Sequence, residues 1–130
     1  MLSGREHLVF VYGTLKRGAS NHAQLAGQRL VGPARLAPGH ALYSLGEYPG
    51  LVAEPASADR VRGEIWAVDD ACLARLDTFE GVPEGLYARV PAPLSETPPG
   101  LPSGAAATVW MYLYLRDTRG RSRVGEIWPV

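Results

Sequence analysis

The chain has 130 residues, with 13 Lys plus Arg against 13 Asp plus Glu, so its formal net charge is zero. That balance excludes the basic footprint of a nucleic-acid binder or a polybasic membrane binder. Hydrophobic residues make up 46%, which excludes disorder, and the length fits one domain over 1–130, with a core over about 7–115 and a tail over 116–130.

His7 to Tyr12 is a continuous β-rich apolar run closed by Gly13, and it predicts a strand buried on both faces. Thr14 to Ser20 reads as a loop. Asn21 is a helix N-cap candidate for a short helix over Ala23–Ala26. Leu30 to Leu45 alternates weakly around Pro33 and Pro38, which predicts one long strand, bent or broken. A turn at 47–50 and a brief strand at Leu51–Ala53 follow. Arg60 to Val68 alternates well: Val61, Gly63, Ile65 and Ala67 share one face, and Arg62, Glu64, Trp66 and Val68 the other. Asp69 or Asp70 caps a helix over Ala71–Phe79, ended by Gly81 and Pro83. Leu86–Leu94 predicts a strand, Ser95–Gly104 a surface loop, Thr108–Leu115 a strand, and Arg116–Arg123 a polar turn before a last apolar segment.

Gly and Pro together, 15 and 11 residues, punctuate short elements. Six or seven short strands and two helices give an α+β class, with a closed or nearly closed sheet as the natural way to remove exposed strand edges. The single cysteine excludes an intrachain disulfide and fits a reducing compartment, so a soluble, cytoplasmic domain is expected. Gly-Glu-Ile-Trp occurs at 63–66 and again at 125–128, without the further matching that a true repeat requires.

Three segments carry chemistry. Tyr12-Gly13-Thr14-Leu15-Lys16-Arg17-Gly18 follows a buried strand, and a glycine turn there can aim successive backbone N–H groups at an anion; it also reads as a plain strand-ending turn. Glu80 stands seven residues from Leu73 and four from Leu76, on the apolar face of its helix and at the C-terminal end of the dipole. Both surroundings favour the neutral acid, as suits a general base working near neutral pH, unless the side chain curls out to water. Asp77, one position round from Leu76, is expected to face solvent. Tyr87 and Arg89 share one face of the next strand, either at the pocket or as an exposed pair.

The remaining candidates are weaker. His7, His22 and His40 form no ligand spacing with Cys, Asp or Glu, so no metal site is expected. Cys72 reads as a buried thiol and Lys16 and Arg17 as solvated loop charges. Glu64 reads as a structural carboxylate with Arg62 or Arg89 as its partner.

Val9–Gly18 with Asn21-His22, then Tyr48-Pro49-Gly50-Leu51, Gly63–Trp66, Leu76–Gly81 and Tyr87-Ala88-Arg89, resemble in this order the gamma-glutamylcyclotransferase-like family, closest to its gamma-glutamylaminecyclotransferase branch. The resemblance implies a small mixed β-barrel flanked by helices, with a cavity at one end. It implies attack of a γ-glutamyl α-amine on its own γ-carbonyl, giving 5-oxoproline and a free amine, with no cofactor and no metal. Tyr12, Gly13, Thr14 and Leu15 would hold the small-molecule substrate through backbone groups, with Tyr87 beside them and Asn21, His22 and Arg89 as support. Glu80 would be the acid/base. The stretch between Pro83 and Tyr87 is one residue longer than the family pattern, and Gly85 is placed to absorb it. A non-catalytic small-molecule binding barrel is the alternative. So is a tailoring enzyme that removes a γ-glutamyl protecting group from a larger metabolite.

Overall fold

The computed structural model describes residues 6–101 and 108–129. Its elements are β1 (His7–Val11), a 3₁₀ turn (His22–Leu25), β2 (Arg29–Leu36), β3 (His40–Ser44), β4 (Pro49–Ala53), β5 (Arg62–Val68), α1 (Asp70–Phe79), β6 (Tyr87–Pro91), β7 (Leu94–Glu96) and β8 (Val109–Tyr114). Six strands form one mixed sheet in the order β6-β8-β1-β5-β2-β7, and β3 with β4 forms a separate hairpin. The sheet curls into a half-barrel, an α+β architecture.

β1 sits inside the sheet, antiparallel to β5 and parallel to β8. Alternation sends Leu8 and Phe10 into a core shared with Leu42 and Leu51 of the hairpin, and Val9 and Val11 into a second core under α1. An apolar run without polar alternation is what a strand covered on both faces requires. β5 divides as its pattern predicts: Val61, Ile65 and Ala67 join the hairpin core, while Trp66 and Val68 join the helix core.

The Leu30–Leu45 stretch is broken rather than bent. The chain leaves the large sheet after Leu36 and re-enters strand geometry at His40 in the hairpin, because Pro38 has no N–H to give the ladder and Gly39 turns the chain at φ +113°. The strand expected over Leu86–Leu94 divides likewise into β6 and β7 around Pro91 and Pro93. The loop expected over Ser95–Gly104 thus begins within β7, and its residues 102–104 lie outside the described residues. The second Gly-Glu-Ile-Trp stretch forms no strand: Glu126 accepts instead from the Arg62 and Arg60 backbone N–H groups.

Helix α1 is fixed at both ends by its own sequence. The Asp69 carboxylate accepts from the Cys72 N–H at 2.8 Å. At the other end the Gly81 N–H reaches the Thr78 carbonyl at 3.1 Å and the Val82 N–H reaches Asp77 at 3.0 Å, a Schellman closure that needs the left-handed φ of +70° at Gly81. Leu73, Leu76 and Cys72 face the second core. Leu76 is fully buried, so Leu76→Ala should lower unfolding stability by about 2–5 kcal/mol. Urea titration would show this as a lower midpoint; a midpoint equal to the native one would contradict the packing described.

Candidate active site

A cavity of about 280 Å³ opens where the β1 end, the β3–β4 turn, the α1 C-terminus and the β6 start converge. Tyr12, Gly13, Thr14 and Leu15 line one side, Glu80 and Tyr87 another, with Tyr48, Pro49, Phe79, Leu86 and Tyr112 among the rest. All six residues that the sequence singles out for catalysis and direct substrate contact therefore meet at one place.

The 13–15 turn is held by its flanks. The Lys16 N–H donates to the Gly13 carbonyl, and the Asn21 N–H to the Thr14 carbonyl at 2.8 Å. The Asn21 side-chain amide donates to the Thr14 hydroxyl at 3.0 Å. Asn21 thus ties the loop closed instead of capping the 3₁₀ turn, where its side chain makes no cap bond. A His22 ring nitrogen meets the Leu15 carbonyl at 2.9 Å, and the ring lies 5.2 Å from that of Trp66. Among the described residues, no protein acceptor takes the N–H of Gly13, Thr14 or Leu15. Gly13 is required by close approach: a Cβ there would stand 2.7 Å from Pro49 Cγ.

Glu80 caps α1 with φ −82° and ψ −1°, its own N–H bonded to the Leu76 carbonyl. Among the described residues, no hydrogen-bond donor meets its carboxylate. Burial pushes its pKa up to about 7, because the charged form loses water without gaining a partner. Three buried tyrosines surround the same space. Burial raises the pKa of Tyr12 and Tyr87, and the Glu80 charge adds to both. Burial and a hydrogen bond to Asp77 raise Tyr112. All three hydroxyls are therefore neutral. Tyr12 donates to the Tyr112 carbonyl at 2.7 Å and Tyr87 to the Pro49 carbonyl at 2.8 Å. The Tyr87 proton is thus committed to the wall.

Glu64 has the opposite environment. Burial pushes its carboxylate up, but the Trp66 indole N–H, the Arg17 backbone N–H and the Arg17 guanidinium together hold it below the usual range. Its partner is Arg17, not Arg62 or Arg89. The two carboxylates are thus driven apart, Glu80 toward its neutral form and Glu64 toward its charged form.

Several expectations need correction. Asp77 does not simply face solvent: it accepts from Arg89 Nε at 2.9 Å and from the Tyr112 hydroxyl at 2.7 Å. Arg89 supports the cavity only through that carboxylate, and its guanidinium lies over Trp110. Lys16 is buried, and its ammonium donates to the Trp128 carbonyl. Its pKa falls because burial disfavours the charge. Gly85, at φ +72°, lies inside a turn before Tyr87 that is closed by the Leu86 N–H on the Gly81 carbonyl. Sequence reasoning missed Tyr112, Pro49 and the rim residues Tyr48 and Phe79. Tyr112 reaches the site through the pairing of Arg89 with Tyr112 between β6 and β8, which no local pattern encodes.

Among the described residues, no group of three or more His, Cys, Asp or Glu is placed to hold a metal. No helix among them is long and apolar enough to cross a membrane.

The chain is similar to known proteins over most of its length. The family model described as gamma-glutamyl cyclotransferase, AIG2-like, matches residues 9–128. A Vibrio cholerae protein provisionally named a gamma-glutamylcyclotransferase is 44% identical over 119 residues, covering 92% of this chain and 91% of its own. The human gamma-glutamylaminecyclotransferase is 40% identical over 127 residues, covering 85% and 79%. The crystal structure of a mouse AIG2-like protein superposes with a TM-score of 0.68 at 28% identity, covering 89% of this chain and 80% of its own. The matched span contains the whole cavity lining from Phe10 to Tyr112, and the chain belongs to the gamma-glutamyl cyclotransferase, AIG2-like family.

Proposed function

We propose that the protein converts a γ-glutamyl amine or amide into 5-oxoproline and a free amine, with Glu80 as the general acid/base. The observation that carries this reading is the unpartnered Glu80 carboxylate in the same cavity as the free N–H groups of Gly13, Thr14 and Leu15.

Substrate arrives with its α-amine as an ammonium. Glu80 takes one proton, and the freed amine attacks the γ-carbonyl carbon of the same glutamyl group. A five-membered ring closes through a tetrahedral intermediate. Protonated Glu80 then gives its proton to the leaving nitrogen and the original amide C–N bond breaks. The ring nitrogen loses its second proton to Glu80, which passes it on to the departing amine, so the positive charge that arrived on the substrate leaves as an ammonium. One carboxylate thus serves every proton transfer. The nucleophile is supplied by the substrate, so the protein's work is to fold the chain into a near-attack pose and to stabilise charge. The N–H groups of the 13–15 turn are suited to an oxyanion or to the glutamyl carboxylate. Neutral walls of Tyr12, Tyr87 and Tyr112 keep the Glu80 pKa near that of a proton shuttle at physiological pH. The chemistry as written needs neither metal nor cofactor.

The base form of Glu80 is lost as pH falls through about 7. The kcat/KM for 5-oxoproline release should therefore drop about tenfold per pH unit on the acid side of that value. A profile flat from pH 5 to 8 would overturn Glu80 as the base.

A further inference from the structure

We propose that Tyr48 and Phe79 form an apolar clamp for the leaving amine, so that the preferred substrates are γ-glutamyl amides of alkyl or aryl amines lacking a carboxylate. This inference rests on the cyclotransferase reading and adds the chemistry of the departing half.

Among the described residues, the large apolar side chains left exposed are Tyr48 at 42%, Phe79 at 40%, Leu115 and Ile127. Tyr48 and Phe79 both line the one cavity that holds Glu80. They come from different elements, Tyr48 from the turn before β4 and Phe79 from the last position of α1. Exposed apolar surface at a cavity is of the kind that marks a ligand groove. Pro49 and Leu86 line the same cavity.

The polar groups of the cavity divide unequally. The glutamyl half carries an ammonium, a carboxylate and the reacting carbonyl. Glu80 and the N–H groups of the 13–15 turn are assigned to those. What remains for the leaving half is Tyr48, Pro49, Phe79 and Leu86.

Charge points the same way. Among the described residues, Glu80 is the sole ionisable side chain of the lining besides the tyrosines, and no Lys, Arg or His lines it. A carboxylate on the leaving amine, as in a γ-glutamyl amino acid, would lose water there without meeting a cation, and would face Glu80. The nearest basic side chains of the substrate loop are engaged elsewhere, Lys16 with the Trp128 carbonyl and Arg17 with Glu64. An aryl or alkyl amine has no such penalty, and it removes the two exposed aromatic faces from water.

The test compares three synthetic substrates that share the glutamyl half. These are γ-glutamyl phenethylamide, γ-glutamyl phenylalanine, which adds only a carboxylate, and γ-glutamyl methylamide, which removes the aryl group. The kcat/KM for 5-oxoproline release is expected to be at least tenfold higher for the phenethylamide than for either of the others, the scale on which an apolar pocket discriminates. Phe79→Ala and Tyr48→Ala should each shrink the phenethylamide-to-methylamide ratio several-fold. Equal turnover of the phenethylamide and the amino acid would overturn the proposal, as would equal turnover of the phenethylamide and the methylamide. A γ-glutamyl diaminobutane turned over faster than the phenethylamide would also overturn it, in favour of a cationic leaving group. No 5-oxoproline from any substrate would instead remove the cyclotransferase reading on which the proposal stands. The substrate series on the native protein decides the matter even where a variant fails to fold.

Discussion

Glu80→Gln should reduce kcat for 5-oxoproline release by about 10²–10⁴-fold, the usual contribution of a positioned acid/base, and at the same time stabilise the protein above neutral pH. Glutamine keeps the shape of the side chain but cannot carry a proton between nitrogens. The stability effect follows from linkage. The Glu80 pKa is raised from 4.5 to about 7 by burial. Below about 4.5 the carboxyl is neutral in both the folded and unfolded states, and the native protein bears no cost. As pH rises through about 7, the unfolded chain is already ionised and the folded one must ionise against desolvation. The cost above that point is roughly 3 kcal/mol, because each tenfold loss of acidity on folding is worth about 1.4 kcal/mol. Urea unfolding at pH 8 should therefore show Glu80→Gln to be the more stable protein, with the difference vanishing near pH 4. Loss of activity together with loss of stability at pH 8 would indicate that Glu80 holds the fold together, contrary to the site described.

Gly13→Ala should cost about 10²–10³-fold in kcat/KM, the scale of a displaced oxyanion donor, and about 1–3 kcal/mol of stability from overpacking. The added methyl would stand 2.7 and 2.9 Å from Pro49 Cγ and Cδ. Pro49 cannot step aside cheaply. It is buried, its ring is rigid, it pairs with Ser44 in the hairpin, and its carbonyl takes the Tyr87 hydroxyl. The turn must shift instead, and with it the three N–H groups. Steady-state kinetics with native-like circular dichroism would show the effect; unchanged kcat/KM would mean that those donors do not touch substrate.

Much of the fold is legible in the sequence because the local signals agree. The β1 run, the two faces of β5 and the caps of α1 each follow from a short stretch of residues, and the structure has all three. Glu80 is legible for the same reason: helical spacing from Leu73 and Leu76 aims it inward whatever surrounds it. What stays hidden depends on non-local pairing. Asp77 reads as solvent-facing because its partners, Arg89 and Tyr112, arrive from β6 and β8. Lys16 reads as solvated because the carbonyl that takes its ammonium lies at Trp128. Tyr48 and Phe79 stand in stretches that carry the family resemblance, but no local pattern marks them as cavity residues, because they meet only where the β3–β4 turn comes beside the end of α1.

Zero net charge fits a zwitterionic glutamyl head, which needs local donors and one carboxylate instead of a field over the whole surface. The proposed reaction closes a ring rather than admitting water to the amide, and product identity tells the two apart, by ¹³C NMR after incubating native protein with carbon-labelled γ-glutamyl phenethylamide. Labelled 5-oxoproline and an equal amount of phenethylamine are expected, with both nearly abolished in Glu80→Gln. Labelled free glutamate as the product would contradict ring closure.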